Sequence, residues 1–242
     1  MGIEGLRLEQ INSKVAQYWS VSVTEETAST QFDLANNFNV GNVLVAEYQS
    51  AGRGRLDRKF EVPPRKGLTF SFCIDKQENL GWIPLITGLA VCKAINKYIG
   101  KDLVKVKWPN DLLIEGKKLA GILSEKNENG VVVGVGINIF QTQQELPIES
   151  AVSLSMFHEI DRSDLLVEIL NELGTSLADI ETQKDLYRSA CSTLGTKVRA
   201  ALPNGEIIED LASSATIIEI RSHDRPALLF RIGSAVKELN ID

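Results

Sequence analysis

Four short segments carry side chains that could do chemistry on a small anion. The densest is Gly52-Arg53-Gly54-Arg55, with Arg58 just beyond it. Glycine lets a backbone come close to a ligand, and planar guanidinium groups suit phosphate or carboxylate. Such a cluster in a chain of net charge −6 suggests a polyanionic small ligand. Taken alone, the tetrapeptide reads more simply as a solvated basic loop. Its spacing is neither G-x-G-x-x-G nor a Walker motif, so those phosphate-loop folds are not supported.

The second segment is Lys107-Trp108-Pro109-Asn110-Asp111. A strand delivers Lys107 and Trp108 to a turn that Pro109 keeps from continuing as a ladder. The Asp111 carboxylate could hold Mg²⁺ between phosphate oxygens, although Asn-Asp after proline is also ordinary turn chemistry. In the third, Lys118 opens the apolar run Leu119–Ser124, so its ammonium points inward, lies at a strand edge or snorkels to the surface. In the fourth, Gly134 and Gly136 interrupt one strand, which marks close approach of a ligand or tight packing against another backbone. The two histidines, His158 and His223, stand alone, and Cys73, Cys92 and Cys191 lack metal or disulfide spacing. Covalent nucleophilic catalysis is therefore disfavoured. Positioning and charge stabilisation around a phosphate-bearing substrate remain.

These segments must be held by a fold, and the patterning gives one. Leu6–Tyr18 reads as an amphipathic helix and Trp19–Val23 as a strand. A second helix, capped by Ser29, runs to Asn37. Asn42–Glu47 is a buried strand, and 49–66 a long arginine-rich loop of the kind that is usually functional or mobile. Leu68–Ile74 alternates as a strand should, and Trp82–Ile99 is a helix stopped by Gly100. Val104–Trp108, Leu112–Ile114, Leu119–Ser124 and Val131–Ile139 are strands joined by turn residues, which favours an antiparallel meander. Ser163–Ile180 and Lys184–Ser192 read as helices. Lys197–Ala201, Ile207–Ile208, Thr216–Arg221 and Ala227–Ile232 read as short strands. The expected architecture is α+β: a mixed, largely antiparallel sheet flanked by helices over residues 1–192, then a small β module over 193–242.

With 242 residues, 43% of them hydrophobic and 24% charged, the chain can bury a core without disulfides or metal. The acidic balance argues against a protein that holds long nucleic acid. The N-terminus is polar and no apolar run is long enough for a bilayer, so a cytoplasmic protein without membrane contact is expected.

Taken in order, Ser29-Thr30-Gln31, Glu47-Tyr-Gln-Ser-Ala-Gly-Arg-Gly-Arg55, Lys107-Trp-Pro-Asn-Asp111, Lys118-Leu-Ala-Gly-Ile-Leu123 and Gly134-Val-Gly-Ile-Asn138 resemble the biotin protein ligases, over residues 20–140. The resemblance implies their catalytic fold and a C-terminal module that is SH3-like. It also implies ligation through biotinyl-5′-AMP, made from biotin and Mg²⁺-bound ATP with no tightly bound prosthetic group. The implied acceptor is a lysine of a biotin carboxyl carrier protein or domain, and the implied state a monomer or homodimer. By the same resemblance Ser29, Thr30, Gln31 and Gln49 bind the ureido head of biotin, and Gly52, Arg53 and Gly54 close over biotin and the phosphates as an ordering loop. Arg55 and Arg58 hold ATP phosphates with Phe60 near adenine, and Lys107, Asn110 and Asn138 line the nucleotide side. Asp111 partners Mg²⁺, and Lys118 sits between biotin carboxylate and α-phosphate, with Arg53 and Arg55 completing the catalytic set. Gly121 and Gly134 give backbone access to biotin.

The chain departs from the family's pattern at Asp57, usually glycine, at Phe60, usually tryptophan, and in the C-terminal module. Only about twenty residues precede the first strand, too few for a DNA-binding helix-turn-helix, so no DNA partner is expected. Two other readings stay open: a lipoate or octanoate ligase on the same fold, and a biotin binder that no longer turns over.

Overall fold

The computed structural model describes residues 3–55, 58–77, 80–201 and 207–211. In chain order the elements are α1 (Leu8–Lys14), β1 (Ser20–Thr24), α2 (Thr30–Asn36), β2 (Asn42–Ala46), β3 (Gly67–Ile74), α3 (Ile83–Ile99), β4 (Val104–Lys107), β5 (Asp111–Ile114), β6 (Lys117–Asn127) and β7 (Gly130–Asn138). They continue with α4 (Arg162–Ala178), α5 (Ile180–Ala190), β8 (Lys197–Ala201) and β9 (Ile207–Leu211).

Seven strands form one mixed sheet in the order β1-β2-β3-β7-β6-β5-β4. Only β1 and β2, joined through α2, run parallel; every other pair is antiparallel. Strands β4 to β7 form the expected meander. Glu115 (φ 51°) and Gly116 (φ 78°) turn β5 into β6, the positive-φ pair that matches strand twist in a two-residue hairpin.

One face of the sheet packs on α3 and α4. Leu68, Phe70 and Phe72 of β3 are fully buried there with Ile86 and Leu89 of α3 and Leu165, Ile169 and Leu170 of α4. Each such side chain contributes about 1.5–3 kcal/mol through burial. Helix α3 ends where Gly100 adopts φ 65° and its N–H caps carbonyls of the last turn. The other face is covered at one end by α2, whose Leu34 meets Cys73 and Val132. Strand β3 is therefore buried along nearly its whole length, not on alternate residues as its sequence suggests.

Helix α1 is shorter than its periodicity implies. The Leu6 N–H is taken by Glu47 Oε1 (2.7 Å) and the Arg7 N–H by Ser163 Oγ (3.0 Å), which ties both residues to other elements. Helix α5 starts earlier than expected, at Ile180, because the Asp179 side chain accepts from Thr182 N. Strands β8 and β9 pair with each other in a separate two-stranded sheet. The expected strands Thr216–Arg221 and Ala227–Ile232, and with them the SH3-like character of the C-terminal module, lie outside the described residues.

Candidate functional site

Strand register assembles a floor from the smallest side chains in the sheet. Ala46, Thr69, Gly136, Gly121, Asp111 and Lys107 stand opposite one another from β2 to β4. The adjoining rank is Leu44, Ser71, Gly134 and Leu123. Directly opposed residues share a face, so glycine, serine and threonine line the middle of the side away from α3. A Cβ on Gly134 would lie 2.3 Å from Gln31 Oε1, and one on Gly136 would lie 2.5 Å from the Phe60 ring. The two glycines thus mark close approach of Gln31 from α2 and Phe60 from the long loop.

At one end of this floor sits a buried polar cluster. Ser29 caps α2, its hydroxyl accepting from Phe32 N (3.4 Å). That places Thr30 and Gln31 in the first turn, facing the sheet. Thr30 donates from N and Oγ1 to Gln49 Oε1 (2.8 and 3.0 Å) and shares a hydrogen bond with Ser71 Oγ (2.7 Å). Gln31 Nε2 donates to Val132 O (3.1 Å), and its Oε1 accepts from Ser71 (3.4 Å). Donors and acceptors alternate in a small space, which suits a compact ligand head with both an N–H and a carbonyl. Gln49, at the loop entrance, also lines a small cavity with Glu47, Tyr48, Phe60, Val62, Gly67 and Thr69.

The other end is charged. Register slips between Leu112 and Leu113, a β-bulge in the β5–β6 pair. Leu119 and Ala120 consequently both reach the core, which leaves Lys118 on the same face as Gly121 and Asp111. Lys118 Nζ lies 2.6 Å from Asp111 Oδ1, with the side chains 37% and 21% exposed. Asp111 Oδ1 is buried yet receives no aligned hydrogen bond, so this is a charge contact and not a well-directed bond.

Arg55 donates to Asn110 Oδ1 (3.0 Å), and Asn110 is pinned to Ile122 through its backbone O and side-chain Nδ2 (2.9 and 3.0 Å). Arg55 is exposed as a residue, but partial desolvation of its guanidinium lowers its pKa, with Arg58 adding to the drop and Asp111 opposing it. It stays charged at any ordinary pH. Gly54 N donates to Arg58 O (2.6 Å) and Phe60 N to Gly52 O (2.9 Å), so the segment folds back on itself above the floor.

The structure thus brings Ser29, Thr30, Gln31, Gln49, Gly52, Gly134 and Phe60 together at the polar end. Lys118, Asp111, Gly121, Asn110 and Arg55 meet at the charged end. Arg53 grips Glu125 with both Nη atoms (2.7 and 3.3 Å). Lys107 is exposed on the edge strand. Asn138 is buried with both amide ends used internally, donating to Val152 O (3.1 Å) and accepting from Gln141 (2.9 Å). The position of Asp57 lies outside the described residues.

Sequence reasoning missed Ser71 and Thr69; the available signal was small polar residues inside the apolar strand LTFSFCI. Among the described residues no three acidic, histidine or cysteine side chains gather as a metal site. The Asp111 Oδ1, buried without an aligned hydrogen bond, is a hard oxygen of the type that suits Mg²⁺. No helix of the described residues is long and apolar enough to cross a membrane.

A model of the biotin/lipoate A/B protein ligase family matches residues 20–140. The biotin–[acetyl-CoA-carboxylase] ligase of Mycobacterium tuberculosis is 33% identical, over 79% of this chain and 78% of its own. The bifunctional ligase/repressor BirA of Bacillus subtilis is 31% identical, over 83% of this chain and 66% of its own. Among solved structures, the biotin protein ligase from Aquifex aeolicus in complex with biotin and ATP aligns with a TM-score of 0.71 at 32% identity, covering 79% of this chain and 86% of that one. The segment matched by the family model, residues 20–140, holds the strands, helix and loop that build the floor and both its ends, and the chain belongs to the biotin/lipoate A/B protein ligase family, among its biotin protein ligases.

Proposed function

We propose that the chain is an ATP-dependent biotin protein ligase, and that the floor between the two ends is where biotinyl-5′-AMP forms. The observation that carries this reading is the polarity of the site. A neutral hydrogen-bonding cluster and a cationic cluster are separated by a strip of glycine, serine and threonine. Biotin has the matching layout: a ureido head, a thin apolar tail and a terminal carboxylate. The Aquifex aeolicus relative, which binds biotin and ATP, supports the same assignment of ligands.

In this reading Thr30, Gln31, Gln49 and Ser71 hold the ureido head, with Ser29 setting the helix that presents them. Gly121 leaves room for the body of biotin, Gly134 admits Gln31 to the floor, and the carboxylate reaches Lys118. A carboxylate oxygen attacks the α-phosphorus of ATP, a P–O bond forms, the α–β bridging bond breaks and pyrophosphate leaves. Two anions must meet for this to happen. Lys118 and Arg55, with Arg58 and Arg53 on the loop, offset their repulsion. Magnesium bound with the nucleotide would supply charge neutralisation at the leaving phosphates, with Asp111 the residue placed to hold it. Asp111 also steadies Lys118. Lys107 and Asn110 flank the nucleotide, while Asn138, through Val152 O, supports the segment that pairs with Lys118. Phe60 covers the floor, and its ring face is available to a flat group.

In the second half-reaction the amine of a carrier-domain lysine attacks the biotinyl carbonyl. An amide forms and AMP departs. Water competes for the mixed anhydride, so a loop that covers it has a chemical purpose. The acceptor is a biotin carboxyl carrier protein or domain, and the reaction takes place in the cytoplasm.

The test is exchange of labelled pyrophosphate into ATP by the purified chain with Mg²⁺. Biotin-dependent exchange is expected. Exchange supported by lipoate and not biotin would transfer the assignment to a lipoate ligase, and biotin binding without exchange would make the protein a binder.

A further inference from the structure

The long loop leaves the sheet after Glu47 and returns at Gly67, and both roots meet one side chain that the adenylation chemistry does not use. Arg162 opens α4, 115 residues from Glu47 in sequence. Its guanidinium is 3% exposed and the Glu47 carboxylate 2%, with Nη1 2.5 Å from Oε2. The same Nη1 donates to Gly67 O (3.2 Å), the first residue after the loop, and Nη2 donates to Glu4 O (2.7 Å) in the N-terminal segment. Glu47 spends its other carboxylate oxygen on Leu6 N (2.7 Å) and its backbone carbonyl on Arg65 N (2.8 Å). One buried guanidinium therefore joins the loop's entrance, its exit and the N-terminal strap.

A fully buried ion pair is a poor way to gain stability, because desolvation offsets most of the attraction. What this pair supplies is geometry. The planar fork of arginine reaches three acceptors on three segments in fixed directions, which a lysine point charge cannot do. Gln49 stands two residues from Glu47, so a shift at the root moves both Gln49 and the Gly52–Phe60 turn.

We propose that Arg162, through Glu47 and Gly67, is a positioning residue that sets the register of the ligand loop over the floor. The proposal rests on the ligase reading for its kinetic consequence but not for its structural one. The experiment compares the parent chain with Arg162→Lys and with the double variant Glu47→Gln/Arg162→Met, which replaces the pair by neutral groups of similar size. Unfolding is followed by circular dichroism, loop exposure by limited trypsin cleavage after Arg53, Arg55 and Arg58, and catalysis by the KM for biotin and escape of bound biotinyl-adenylate.

In Arg162→Lys, loop cleavage and adenylate escape should both rise about tenfold or more, with cooperative unfolding retained and turnover at saturating biotin little changed. If Arg162→Lys does not fold, the double variant is expected to show the same pattern. Parent-like cleavage and parent-like adenylate retention in a folded variant would overturn the proposal. A parent chain without biotin-dependent exchange would refute the ligase reading alone, since the trypsin comparison needs no ligand.

Discussion

Lys118→Met is the substitution that most directly tests the chemistry of the charged end. The methionine keeps the length and the apolar stem of lysine and removes only the ammonium. Lys118 sits on the bulged start of β6, 2.6 Å from Asp111 Oδ1, with 37% of its side chain exposed. A half-exposed ion pair is worth about 0–1 kcal/mol. In a domain of this size about 1 kcal/mol corresponds to a shift in Tm of about 2–4 °C. Loss of a donor that stabilises charge only in the transition state costs about 10²–10³ in rate, or about 2.7–4 kcal/mol. The two magnitudes separate cleanly. Pyrophosphate exchange at saturating biotin and ATP should fall by about 10²–10³, while biotin affinity, measured by calorimetry, stays within a few-fold because the ureido cluster is untouched. Near-normal exchange in the folded variant would refute the role given to Lys118. A loss confined to biotin affinity would instead make it a ground-state binding residue.

The remaining expectations concern the floor, its flanks and acid stability. Gly134→Ala drives a methyl to 2.3 Å from Gln31 Oε1, and Gln31 is held in place by Val132 O; overpacking should cost about 1–3 kcal/mol, and the KM for biotin should rise about 10–100-fold, with an unchanged KM counting against the ureido assignment. Thr193→Val removes the acceptor of the Trp108 N–H (3.0 Å) just before the Asn110–Asp111 turn, so the KM for ATP should rise and that for biotin should not; failure of Thr193→Ser to restore it would show that the hydroxyl is not what matters. Glu145, hydrogen-bonded by Lys66 and by the Thr142 N–H, has its pKa lowered from 4.5 to about 2. Its contribution to stability is full above pH 4.5 and fades as pH falls toward about 2. The difference in Tm between the parent and Glu145→Gln should therefore shrink over that window and vanish at its lower end; a pH-independent difference would contradict the ion pair.

The features legible in the sequence are those whose cause is local. Ser29 caps α2 because its hydroxyl reaches an amide three residues on, and Gly100 ends α3 because it accepts a positive φ. Glycine at 134 and 136 announces a close approach without saying of what. Pairing decides that, since Gly134 stands opposite Ser71 and beneath Gln31 only once β3, β7 and α2 have met. The face that Lys118 takes was equally hidden. Strand alternation leaves its side chain free to point inward or outward, and the bulge between Leu112 and Leu113 fixes the outcome. The partners of Arg53 and Arg162 are set by contacts across 72 and 115 residues, beyond any periodicity in the chain.

The same two arginines hold one loop by two contacts of very different exposure. At its tip Arg53 meets Glu125 with the side chains 49% and 36% exposed, an arrangement worth no more than about 1 kcal/mol. An incoming phosphate can replace that carboxylate at little cost, because water already screens the pair and the arginine merely exchanges one anion for another. At its roots Arg162 and Glu47 are sealed from water, and breaking such a pair by removing one partner costs about 3–5 kcal/mol. The gradient runs from an expensive buried clamp to a cheap exposed clasp over fewer than twenty residues. Exchange of the exposed pair at the tip therefore leaves the buried Arg162–Glu47 pair, and with it the roots of the loop, in place. Exposure, more than the number of contacts, sets which of the two pairs yields first to a competing anion.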